Sequence, residues 1–214
     1  GAAISSVVAS YAGPGISSQI VRGAVRVKGQ VISGRDVENA LNAAMHAVPT
    51  PNLAFLHVEP LHYTIDDGEH IADPHGQPGR MLAVEACIVT APLDSINALK
   101  ACVRHAGAEV EEIIAAPKAA AMAALTEEER EEGAVLIDLG AGTTGIAAYA
   151  ADTLVHCETI AVGGVRLTRD LAAKLQTTFA AAERVKLHFG AVANACDPRE
   201  AVAAPRLGAD GRLE

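Results

Sequence analysis

The sequence predicts a mixed α/β chain, and three stretches carry that expectation. In the first, a short apolar run from Ala134 to Ile137 reads as a buried strand. It ends in the carboxylate of Asp138, a turn with Gly140 and Gly142, and two hydroxyls, before a second β-like run from Gly145 to Ala150. In the second, Gly163 and Gly164 stand between a strand, Thr153 to Val162, and a helix that carries Leu171 and Leu175. In the third, one helical stripe is flanked by β-like runs, which makes a small helix-on-sheet module of residues 16–93.

Taken in order, Ile4 to Ser10 and Ile20 to Val27 read as strands, with Gly13-Pro14-Gly15 as the turn between them. Ser33 and Asp36 offer a capping-box start. Val37, Leu41, Ala44, Met45 and Val48 then fall on one helical face before Pro49. Leu53 to Val58 and Met81 to Val89 are strand candidates separated by a polar loop, and Leu82, Val84, Ala86 and Ile88 share one face of the latter. Asp94 is placed to cap a helix striped by Ile96, Leu99, Cys102 and Val103 and stopped by Gly107. Val110 to Ile114 is a strand, and Pro117 opens an alanine-rich helix suited to close packing. Thr126 and Glu129 make a second capping box, and the segment from Ala201 to Glu214 reads as a strand and turn.

The chemistry concentrates at the first turn. Glycines let a backbone turn tightly and approach an anion without a Cβ in the way, so several N–H groups can converge on phosphate oxygens. Asp138 can hold a hydrated Mg²⁺, and Thr143 and Thr144 can donate to phosphate. The same residues would also make an ordinary hairpin turn. Two later segments favour the phosphate reading. Gly163 and Gly164 at a helix start would present N–H groups and the positive end of the helix dipole to an anion. Glu183 and Lys186, at i and i+3, would share one helix face, which by itself is usually a solvated ion pair.

Together these segments resemble the actin-like ATPase superfamily. Its second phosphate loop has the form Asp-x-Gly-x-Gly-Thr, followed by a Gly-Gly turn and a Glu-x-x-Lys helix on the adenosine. Leu56 to Asp66, Asp73 to Leu82, and Leu125 to Gly133 running into the Asp138 strand are similar to FtsA, the family of bacterial cell-division actin homologues. The resemblance implies two actin-like (ribonuclease-H-like) halves, incomplete here, with an inserted α+β module of the SHS2 type. It divides the chain into 1–15 and 94–132 (first actin-like subdomain), 16–93 (inserted interaction module), 133–195 (second subdomain with the phosphate loop) and 196–214 (start of a further subdomain).

The same resemblance implies ATP and Mg²⁺ as ligands. Asp138, Gly140, Ala141, Gly142, Thr143, Thr144, Gly163, Gly164, Glu183 and Lys186 would line the nucleotide, with Asp138 holding Mg²⁺ through water and Glu183 accepting from ribose hydroxyls. Implied too are self-association into filaments, and partnership with FtsZ and other division proteins. The expected location is the bacterial cytoplasm, on the inner face of the membrane at the division site, with membrane contact through a C-terminal helix outside this chain. Ala141 stands where the family usually has Gly. Ala116 precedes Pro117 where actin-like relatives often carry an acidic or amide residue, so at most a weak ATPase is expected, in an adaptor and not a fast enzyme. A small-molecule kinase, or a pilus-assembly or chaperone-like ATPase, is the alternative. With no initiator Met and a first element that opens mid-strand, the chain is expected to be an internal piece of a longer protein.

Composition narrows the choices further. Half of the 214 residues are hydrophobic but only 3% are aromatic, so the core must be aliphatic and alanine-rich. No apolar run approaches the ~18 residues that span a bilayer. A net charge of −9 argues against nucleic-acid binding through a broad basic surface. Cys87, Cys102, Cys157 and Cys196 are scattered and read as reduced, partly buried thiols. His57, His62, His70 and His75 lack metal-ligand spacing and read as surface or hydrogen-bonded side chains. The acidic run from Glu127 to Glu132 reads as a solvated helix face.

Overall fold

The computed structural model describes residues 4–49, 51–191 and 205–206. In chain order its elements are β1 (Ser6–Tyr11), β2 (Ser17–Arg26), α1 (Gly34–Ala47), β3 (Leu53–Ile65), β4 (His70–Ile71), β5 (Met81–Pro92), α2 (Leu93–His105), β6 (Glu109–Ala115), α3 (Ala116–Ala124), α4 (Glu127–Glu132), β7 (Ala134–Leu139), β8 (Thr144–Ala150), β9 (Thr153–Ile160), α5 (Gly164–Leu175) and α6 (Phe179–Phe189). They fall into two compact units, one of residues 1–138 and 145–160, the other of 139–144 and 161–214. The strand and turn expected from Ala201 to Glu214 lie outside the described residues, apart from Pro205 and Arg206, as does Cys196.

Three sheets build the larger unit: the parallel pair β1-β6, the antiparallel sheet β2-β5-β3-β4, and β7-β8-β9. Strand β5 is buried on both faces because alternate side chains serve two cores. Leu82, Val84, Ala86 and Ile88 pack with Val27, Ile32, Ala40, Ala44 and Tyr63 beneath α1. Cys87, Val89 and Ala91 point the other way, into a core with Ile16, Ile96, Ala115, Tyr149, Leu154 and Cys157. Helix α1 lies directly on β2 at Gly23, where the backbone of Ala40 and Ala44 occupies the space a Cβ would need. Ser33 caps α1, and the hydrogen bonds that Ser33 donates hold the Asp36 carboxyl below its ordinary pKa.

Strand β3 runs to Ile65, beyond the expected end at Val58. Pairing with β5 shifts register at Phe55/His57 and again at Pro60/His62; the second shift accommodates the missing Pro60 N–H, and the strand pairs on to Ile65. Asp94 is not a cap: Pro92 occupies the N-cap position of α2, and Asp94 sits within the first turn. Cys102 is exposed, so the α2 stripe is narrower than expected. Cys87 and Cys157 are buried, and burial pushes the Cys157 thiol up to about 12, far from a reactive thiolate. Helix α4 carries no buried residue. Strand β7 is not buried as expected. It ends its sheet, and Val135, Ile137 and Leu139 on one face are 61%, 60% and 78% exposed.

His57 is buried on β3, and its Nε2 accepts from the Ala115 N–H at 3.0 Å. Desolvation, and then the nearby Lys118 ammonium, lower its pKa to about 4, while Glu59 opposes the shift. Lys118 is itself paired with Glu59. The unfolded chain therefore takes up this proton near pH 6.5 and the folded chain only near pH 4. The contribution is present above pH 6.5, is lost as pH falls from 6.5 to 4, and changes no further below that. It amounts to about 3 kcal/mol. Urea unfolding from pH 7.5 to 4 should show this loss, and His57→Gln should flatten the slope. A native slope in that variant would remove His57 as its source.

His62 and His70 do not join His57. Their rings stack with centroids 3.7 Å apart, and His62 Nε2 lies 3.5 Å from Glu85. No metal-ligating group of three side chains forms among the described residues, and no described helix is long and apolar enough to cross a membrane.

Candidate nucleotide-binding site

The smaller unit gathers the turn after β7, the glycine pair and the two following helices. Gly140 N–H donates to Thr143 O at 2.9 Å and closes a tight turn. A Cβ at Gly140 would stand 2.9 Å from that same oxygen. The tip residues Ala141 and Gly142 are exposed, and their N–H groups have no protein acceptor among the described residues. Around Gly142 a Cβ would meet nothing within 4 Å, and its φ lies outside the left-handed region. Neither packing nor backbone conformation therefore explains a glycine there.

The glycine pair does something the sequence did not suggest. The N–H groups at the start of α5 are not free: Gly164 donates to Gly140 O at 3.0 Å and Val165 to Ala141 O at 2.8 Å. A Cβ on Gly163 would lie 2.6 Å from both carbonyls, so this glycine is needed for close approach, its φ of −161° being ordinary extended backbone. The expected anion seat on these amides is thus filled by the loop's own carbonyls. Thr144 is revised as well. It is buried, and its hydroxyl donates to Val162 O at 2.7 Å, which spends its one hydrogen inside the protein. Asp138, at the end of the larger unit's share of β7, is exposed.

Glu183 and Lys186 share the inward face of α6, as their spacing predicts, and form an ion pair of 2.9 Å. They are more than a surface pair. Thr168 on α5, 0% exposed, donates to Glu183 Oε2 and accepts from Lys186 Nζ at 2.9 Å, while Lys186 also reaches Gly164 O at 3.3 Å. The hydrogen bonds from Thr168 and Lys186 hold the Glu183 carboxyl below its ordinary pKa.

Two cavities border this framework. One, of about 250 Å³, is lined by Ala141, Gly142, Gly163, Val165, Arg166 and Arg169. The other, of about 390 Å³, is an apolar groove formed by Leu167, Leu171, Val185 and Phe189 beside Lys186. Thr168, Arg166 and Arg169 escaped the sequence reading. Their signal was helical spacing from the glycine pair: Thr168 is four residues after Gly164, and the two arginines are three apart.

Two family models match the chain, one described as the SHS2 domain inserted in FtsA over residues 13–90, the other as cell division protein FtsA over residues 135–212. The chain belongs to the FtsA family. Cell division protein FtsA of Rhizobium meliloti is 33% identical over 99% of this chain and 48% of its own length. The FtsA of Pseudomonas aeruginosa is 32% identical over 97% of the chain and 50% of its own, and that of Escherichia coli K12 32% over 96% and 49%. The chain therefore spans about half the length of the FtsA relatives it matches. Among solved structures, the PilM-PilN type IV pilus biogenesis complex aligns with a TM-score of 0.56 at 18% identity, covering 87% of this chain and 51% of that one. That likeness is one of fold, the actin-like fold, and goes no further.

Proposed function

We propose that this chain is the nucleotide-binding part of an FtsA-type division protein that binds ATP with Mg²⁺, assembles with copies of itself and with FtsZ at the septum, and helps link the FtsZ ring to the cytoplasmic membrane. The observation that carries this reading is the loop tip. Ala141 and Gly142 offer two exposed amides, Gly142 leaves its approach open, and Arg166 and Arg169 line the same cavity. Backbone amides with open approach and adjacent guanidinium groups suit phosphate oxygens. The donor set thus fits a nucleoside polyphosphate.

In this reading the tip amides and Thr143 bind the phosphates, and Glu183 accepts from the ribose hydroxyls. Gly140, Gly163, Gly164 and Thr144 hold the loop's shape, and Lys186 holds Glu183 in place. The apolar groove beside Lys186 has the size and polarity to seat a purine. Bound Mg²⁺, held by Asp138 through water, would neutralise phosphate charge. Ala116 offers no carboxylate or amide where relatives often carry one, so nucleotide serves assembly more than turnover. The inserted module is assigned to protein contacts.

Calorimetry with Mg-ATP on the intact protein, beside sedimentation with and without nucleotide, tests the reading. Saturable binding abolished by Asp138→Ala, with nucleotide-dependent pelleting, is the expected result. Binding that survives Asp138→Ala would remove the metal assignment. Phosphorylation of a sugar at enzymatic rates would favour a kinase instead.

A further inference from the structure

We propose that Thr168 is the positioning residue of the nucleotide site: its buried hydroxyl fixes the Glu183 carboxylate so that one oxygen is held inside the protein and the other is presented to the ribose. This rests on the reading of Glu183 as the ribose acceptor.

Three observations support it. First, Thr168 is completely buried, and among the described residues the other buried positions on α5 and α6 are both alanine, Ala181 and Ala182. A valine would fill the same space without the desolvation cost of a hydroxyl, so the oxygen has to be explained by its partners. Second, beside the Gly164 carbonyl one turn back, those partners are the two side chains singled out on α6. The single Thr168 hydrogen lies within reach of two acceptors, Gly164 O at 3.1 Å and Glu183 Oε2; the shorter contact is the one to Glu183, and the hydroxyl lone pair receives Lys186 Nζ at 2.9 Å. Third, the Lys186 ammonium has three acceptors, Thr168 Oγ1, Glu183 Oε2 and Gly164 O, which match its three hydrogens. Its charge is spent within the protein, and it acts as a pin between α6 and the first turn of α5.

Glu183 is then held through Oε2 alone, by two donors, one neutral and one cationic. Its other oxygen has no partner among the described residues. A carboxylate fixed in this way can accept from vicinal hydroxyls without first ordering its own rotamers, which is where positioned groups gain over mobile ones. Thr168 touches neither phosphate nor ribose in this account and acts only through Glu183.

The test compares ATP, 2′,3′-dideoxy-ATP and tripolyphosphate, each with Mg²⁺, by calorimetry on the intact protein. The unaltered protein should prefer ATP to the dideoxy analogue about tenfold or more. Thr168→Val should bring ATP down to the analogue's affinity while leaving tripolyphosphate unchanged. Thr168→Ser, which keeps the hydroxyl, should retain the preference. Thr168→Ala is measured beside Thr168→Val, because it removes the hydroxyl without adding a branch, and whichever of the two folds serves as the comparison with serine. A native preference in a folded hydroxyl-free variant overturns the proposal while leaving the ribose role of Glu183 standing. Equal affinity of the unaltered protein for ATP and the analogue overturns that role and the proposal with it.

Discussion

Gly142→Val should lower the affinity of the intact protein for Mg-ATP by 100-fold or more while leaving its unfolding curve unchanged. The two halves of this result come from separate observations. A Cβ at Gly142 meets open space, and the backbone there is not in the left-handed region, so the fold has no objection to a side chain. A branched side chain at the tip would nonetheless stand over the Ala141 and Gly142 amides and hold a phosphate away from them. A hundredfold loss is about 3 kcal/mol, the value of two charge-assisted hydrogen bonds. Gly163→Val is the contrast. Its Cβ would stand 2.6 Å from two loop carbonyls, and that variant should lose stability as well as binding. If Gly142→Val binds ATP normally, the tip is a plain hairpin turn.

The second large effect lies within the larger unit. Gly23→Ala should destabilise the larger unit by about 3 kcal/mol, and Gly23→Val by more. Here the obstacle is backbone, the carbonyl of Ala40 and the N–H of Ala44, and neither can rotate away as a side chain would. Ala40 and Ala44 are both fully buried, so α1 approaches β2 through the smallest residues available to helix and strand. Urea denaturation of the two variants measures the effect. A loss under 1 kcal/mol for alanine would mean that α1 can lift off the sheet cheaply.

Much of this architecture was legible in the sequence, for reasons that differ by element. Helix α1 announced itself through Ser33, Asp36 and a stripe at 3.6-residue spacing, all local signals. The face shared by Leu82, Val84, Ala86 and Ile88 followed from period-two alternation. What stayed hidden depends on partners distant in the chain. The expected strand stops at Val58, yet β3 passes Pro60 because β5 pairs again beyond the bulge. The role of Gly23 exists only once Ala40 and Ala44 are laid against it. At the candidate site, glycine spacing located the loop, but no local pattern tells that Gly140 and Ala141 carbonyls consume the first α5 amides, or that Thr144 bonds Val162. The apolar run of β7 promised burial because hydrophobicity alone does not say which face of a sheet is covered.

The two hydrogen bonds from Gly164 and Val165 to the loop carbonyls make the start of α5 a clock for the loop. These amides trade their hydrogens with deuterated solvent only when Gly140 and Ala141 swing away, since neither has an acceptor within its own helix. Their exchange rates would therefore time loop opening directly, with no label attached. A ligand seated on the tip would slow both amides together, even though it touches neither of them.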